Sequence, residues 1–196
     1  MSYLEGFAIA FVALTWMALA FYQRQTTPMS VRRLTRLGFY LALAIVIGIL
    51  ESFLPDLFLP GMKLGLANAV ILLILLQSSA IEAFAVSMLR VLLVSLLRGT
   101  FLSMGGWMSF AGALLSFMGM VLAYYLSKKK LSPFFLSILG ALLHNVGQIL
   151  VAIFYLGTSS IAYYLPFLAL LSLGTGFLIG FLANELKKRK IFDIAS

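Results

Sequence analysis

The chain has no cysteine, one histidine (His144), and only two aspartates, Asp56 and Asp193, far apart in sequence. Without cysteine there is no disulfide framework, thiolate metal site, iron–sulfur cluster or catalytic thiol. One histidine cannot build a multi-histidine metal site within one chain. The aspartate-rich clusters that would hold magnesium against a diphosphate are absent as well. Charge is scarce too: 10% of the 196 residues are charged, against 63% hydrophobic. No soluble globular domain has that balance, and little length is left for a soluble catalytic domain.

What the chain does have is a series of apolar runs of about 17–25 residues, the length needed to cross a bilayer as a helix. The fold class expected is therefore all-α, a polytopic membrane helix bundle. The net charge of +8 does not point to nucleic acid, because of where it falls. Eleven of the 14 basic residues form three clusters: Arg24, Arg32, Arg33 and Arg36; Lys128–Lys130; and Lys187, Lys188, Arg189 and Lys190. Each flanks an apolar run, as the positive-inside rule requires, with contact to anionic membrane lipids as a second role.

Seven spans are expected, over about 3–22, 37–54, 63–76, 80–97, 106–126, 133–156 and 161–184. The first has Glu5 where a signal peptide has basic residues, and its positive charges follow it, so it reads as a retained helix. With the N-terminus outside and the C-terminus in the cytoplasm, all three basic clusters share one face. A six-span variant, with the first run along the surface, keeps them there too; the polar, basic linker favours seven. Small residues recur four apart: Ala44 with Gly48, Gly112 with Ser116, Gly176 with Gly180. In lipid such pairs let helix backbones approach closely.

The stretch from Leu59 to Asn68 interrupts this pattern. Pro60-Gly61 is turn chemistry. Lys63 and Asn68 then fall at the start of a short third run, where unpaired N–H groups and the positive end of the helix dipole suit an anionic group. The alternative is a simple turn, with Lys63 reaching the headgroups.

Polar residues inside the apolar runs are the other signal, since a charge at mid-depth costs about 2.5–3.5 kcal/mol on insertion scales. Arg90 is the most deeply placed, and two roles stand open for it: contact with a ligand, or an ion pair with Glu82 or Glu51. Glu82 and Arg90 sit about 80° apart around one helix and ~12 Å along it, so they are poor direct partners. Glu51, Lys63 and Arg98 map to the outer half, where they either form a polar pocket or simply meet water. His144 and Gln148 share a helix face, with Asn145 beside it. No general acid–base pair, nucleophile–base pair or metal-ligand spacing stands out.

Leu50-Glu51-Ser52-Phe53-Leu54-Pro55, followed by Pro60-Gly61-Met62-Lys63-Leu64-Gly65-Leu66-Ala67-Asn68, resembles the signature of the Gx transporter family, also labelled heptaprenyl diphosphate synthase component I. The resemblance continues through Glu82-Ala83, Arg90-Val91-Leu92-Leu93, Leu97-Arg98-Gly99-Thr100-Phe101, Gly140 to Gln148 and Tyr164-Leu165-Pro166, and covers about 37–184. It implies a six-helix core similar to the S components of energy-coupling factor (ECF) transporters, which capture a small molecule from outside. Such components work with a transmembrane coupling protein and two cytoplasmic ATPases. The synthase label finds no magnesium-holding carboxylates here.

The resulting division is an N-terminal transmembrane helix and basic linker (1–33), a six-helix membrane domain (34–186) and a basic cytoplasmic tail (187–196). The extra N-terminal helix departs from the six-helix pattern. The expected role is the substrate-binding subunit of an ECF-type transporter in the bacterial cell membrane, not an enzyme by itself and without cofactor, metal or nucleic acid. Its ligand is partly anionic or resembles a quinone or isoprenoid precursor. The expected lining is Glu51, Lys63, Asn68, Arg90, Arg98, His144, Asn145 and Gln148, with Ala44 and Gly48 docking the coupling protein. The alternative is a quinone-binding or scaffold subunit of an extracytoplasmic flavin-linked electron-transfer complex.

Overall fold

The computed structural model describes residues 30–53 and 63–188. The helix expected over 3–22, Arg24, the Pro60-Gly61 turn and the tail beyond 188 lie outside the described residues. Six α-helices make up the rest: α1 Val31–Glu51, α2 Asn68–Gln77, α3 Ala80–Leu97, α4 Met104–Leu126, α5 Pro133–Leu156 and α6 Leu165–Lys188. A 3-10 turn, Ser159–Tyr164, precedes α6. Five helical stretches are long and apolar enough to cross a membrane, and α2 is a shorter apolar helix. The protein is a multi-pass membrane helix bundle.

Local chemistry sets the helix starts. Ser30, Ser79, Ser103 and Ser132 each accept a hydrogen bond from the backbone N–H three residues on, at Arg33, Glu82, Gly106 and Phe135. The Ser30 cap is why α1 begins at Val31, ahead of the apolar run that starts near residue 37. Pro133 opens α5, where a missing N–H costs nothing, and Gly157 closes it in the left-handed conformation. Pro166, in the first turn of α6, is tolerated for the same reason.

The short helix α2 is the centre of the bundle and packs against all five others. Val70 to Leu75 are all buried, so it carries no lipid-facing side. Its 10 residues span roughly 15 Å, about half the hydrocarbon thickness. Residues 63–67 lead into it as non-helical chain.

Around α2 the longer helices meet through glycine. At Gly147 of α5 a Cβ would lie 2.6 Å from the Ala111 carbonyl oxygen and 2.8 Å from Gly112 Cα. At Gly176 and Gly180 of α6 it would lie 2.6 Å from Ile138 Cα and 2.7 Å from Phe134 Cα. The Gly112/Ser116 and Gly176/Gly180 pairs thus serve packing inside the chain. The expectation that Ala44 and Gly48 dock a partner needs correction. Both are buried, and Gly48 faces Val94 of α3. The small residues that α1 does expose are Gly38 and Ala42, on the opposite side of the helix.

Leu37, Tyr124, Leu131 and Ile179 belong to one apolar cluster, so the basic ends of α1, α4, α5 and α6 share one end of the bundle. There Glu82, fully buried, pairs with Arg33 and accepts from Ser78. Arg36 donates to Ser78 at 3.2 Å, and the Tyr40 hydroxyl donates to Gln77 at 2.6 Å. These contacts tie α1 to the α2–α3 turn.

Gly147→Ala should lower the unfolding midpoint in detergent, by about 1–3 kcal/mol of overpacking. Gly174→Ala is the control: nothing lies within 4 Å of its added Cβ, and it should be neutral or stabilising. Thermal unfolding of the two variants side by side checks both.

Candidate functional site: a polar cavity beneath a half-helix

At the end opposite the basic clusters, residues 63–67 are non-helical chain: the Gly65, Leu66 and Ala67 carbonyls accept from the N–H groups of Asn68, Ala69 and Val70, but the N–H groups of Lys63, Gly65 and Leu66 have no backbone acceptor in the helix. Non-helical backbone at membrane depth survives only when protein groups satisfy it. Two buried side chains do this. Glu51, at the last turn of α1, accepts from the Gly65 N–H and, at 3.2 Å, from the Leu66 N–H. Gln148 of α5 forms a double bond pair with Lys63: its carbonyl oxygen accepts from the Lys63 N–H at 3.1 Å, and its amide donates to the Lys63 carbonyl at 2.8 Å. Gly65 turns at φ +79°, which a side chain resists. The anion expected at the start of the third run is thus supplied from within the chain, by Glu51.

Below this segment lies a cavity of about 20 Å³. Gly48, Glu51, Lys63, Arg90, Val91, Val94, Ser109 and His144 line it, from five elements. Arg90 is 6% exposed. One of its terminal nitrogens donates to Asn68 Oδ1 at 3.4 Å, and its Nε is buried without a partner. Asn68 passes the contact on, donating to Ser116 of α4 at 3.2 Å. No carboxylate stands within ion-pair distance of Arg90 among the described residues. The expected pairing with Glu82 fails because Glu82 lies at the other end of α3, held by Arg33. Glu51 acts on Arg90 and Lys63 through space, while its oxygen is committed to backbone amides.

The His144 ring is wedged between two glycines. A Cβ would lie 3.0 Å from its Cδ2 at Gly65 and 2.8 Å from its Nδ1 at Gly112. The ring is buried, with its Nδ1 edge against the Gly112 backbone.

Of the eight lining residues expected from the sequence, Glu51, Lys63, Arg90 and His144 line the cavity. Asn68 and Gln148 hold its parts in place from just outside. Two expectations need correction. Asn145 points to α6, donating to Ser172 Oγ at 2.8 Å and the Leu168 carbonyl at 3.4 Å, because neighbours on a helix diverge by about 100°. Arg98 is exposed at the end of α3, with a long 3.5 Å contact to the Ser52 carbonyl. Sequence reasoning missed Ser109, Val91 and Val94, and it gave Gly48 a different role. Ser109 had a signal, since it falls on the same face as Gly112 and Ser116. The valines had none.

The cavity offers hydrogen-bond donors and positive charge in a nearly dry setting. Among the described residues, no three His, Cys, Asp or Glu side chains gather as metal ligands would.

A family model described as heptaprenyl diphosphate synthase component I matches residues 40–186. No curated protein and no solved structure matches the chain.

Gln148→Leu should destabilise the protein by about 1–3 kcal/mol, since it strands the buried Lys63 N–H and C=O. Glu51→Leu should cost at least as much, and Glu51→Gln less, because the amide keeps an acceptor for Gly65. Denaturant titration in mixed micelles would measure all three; equal losses for Gln and Leu at position 51 would contradict the acceptor role.

Proposed function

The chain belongs to the heptaprenyl diphosphate synthase component I family, and from that membership we propose that it is the small-molecule-binding membrane subunit of a larger assembly and not itself an enzyme. The observation that carries this reading is Arg90. A guanidinium buried in a membrane bundle, with no partner for its Nε and no carboxylate beside it among the described residues, is costly for structure alone. It makes sense as a group kept ready for a ligand.

In the finer form of the proposal, the subunit is of the S-component type of ECF transporters, in the bacterial cell membrane. The basic end faces the cytoplasm and the cavity faces outward. A transmembrane coupling protein and two cytoplasmic ATPases complete the assembly. The six described helices agree in number with that architecture. The exposed Gly38–Ala42 side of α1 is the small-residue surface open to a coupling protein. The cavity of about 20 Å³ holds little more than a water molecule. Ligand entry therefore requires residues 63–67 or α1 to move, which fits a capture site that closes over its cargo.

Tagged protein isolated from its own membranes in mild detergent should bring down a coupling protein, two ATPases and a bound small molecule, all identifiable by mass spectrometry. Arg90→Ala should insert normally and lose the small molecule. A flavoprotein or quinone without ATPases would replace this reading with the redox-complex one.

A further inference from the structure

The charges around the cavity do not cancel. Lys63 and Arg90 bring two positive charges to its lining, and Glu51 brings one negative. With His144 counted neutral, the lining carries one surplus positive charge. Of the other charges, Arg98 lies off the lining, exposed at the helix end but close enough to Lys63 to add to the positive field, and Glu82 is paired with Arg33 at the other end of the bundle. A low-dielectric cavity penalises any net charge left inside it.

We propose that the Lys63–Arg90–His144 cavity receives a compact monoanionic head group of the carboxylate class. This rests on the binding-subunit reading above and narrows it to a ligand chemistry. One negative charge neutralises the lining. A diphosphate, with two or three, would leave the cavity negative and would meet Glu51 across it. The donor geometry agrees. Arg90 has one terminal nitrogen held by Asn68, while its Nε–H is buried and unused. A carboxylate can take two parallel N–H bonds along one edge of a guanidinium. The His144 ring and the Lys63 side chain stand on the same lining. Of the remaining lining, Gly48, Val91 and Val94 are apolar and suit a short hydrocarbon portion next to the head, and Ser109 is the fourth residue there.

The test uses the full chain in nanodiscs of zwitterionic lipid at low salt. Thermal midpoints are followed against sodium butyrate and against magnesium-free sodium pyrophosphate. Wild type is compared with Arg90→Gln and Lys63→Gln. The second variant leaves the fold intact, because Lys63 is held through its backbone. Butyrate should raise the wild-type midpoint saturably, with an apparent affinity at least about tenfold better than that of pyrophosphate, and both variants should lose at least that factor. Pyrophosphate binding as tightly as butyrate through Arg90 would overturn the monoanion assignment and leave the binding-subunit reading standing. A midpoint rise that persists in both variants would mark adventitious binding and overturn it equally. The binding-subunit reading fails separately, if protein from native membranes carries no small molecule at all.

Discussion

A stretch of chain that is not helical, inside a membrane, must have its hydrogen bonds supplied by side chains. That constraint governs this protein. The N–H groups of Lys63, Gly65 and Leu66 have no helical partner, and lipid offers no replacement. Glu51 and Gln148 provide one, from helices on either side of the gap. Their burial, expensive anywhere else in the bundle, follows from this duty. So does the shortness of α2, which begins only after the irregular segment has spent half the membrane depth.

The two ends of the bundle use charge differently. At the basic end Glu82 has a direct partner in Arg33, reinforced by Ser78, and the contacts bind α1 to the α2–α3 turn. At the other end the hydrogen bond that Arg90 makes among the described residues goes to an amide, that of Asn68. The first arrangement is a closed ion pair and is finished. The second leaves donors unused in a site shielded from water. The difference separates a structural device from a receptive one, although both place ionised groups in an apolar bundle.

Much of this was legible in the sequence, for physical reasons. The helical class and the places of the long described helices follow from composition, since an apolar run of sufficient length has few alternatives in water or lipid; of the seven spans expected, five are long helical stretches, the third is a short helix and the first lies outside the described residues. Glu51, Lys63, Arg90 and His144 stood out because each is costly at its depth. The rest depended on rotation about helix axes. Asn145 turned out to be a tie to α6 and Arg98 an end residue, and neither fact is encoded in depth alone. Gly48 read as a docking residue because a small-residue pair does not reveal which neighbour it faces. Val91 and Val94 look like any lipid-facing valine until the helices are assembled. The start of α2 was also displaced: the apolar run begins near Lys63, but helical geometry begins at Asn68, where the backbone has emerged from the grip of Glu51.

The pairing of Lys63 with Gln148 spans 85 residues of chain. As the polypeptide emerges during synthesis, Lys63 is made long before the amide that will hold it. Glu51 is already present, but it accepts only from Gly65 and Leu66. The half-helix therefore cannot settle as an independent membrane segment. It must wait in a polar or protein-lined environment while α3, α4 and most of α5 are built, and then be drawn into the middle of helices younger than itself. The pairing can form only after most of α5 exists, and α6 is still to come.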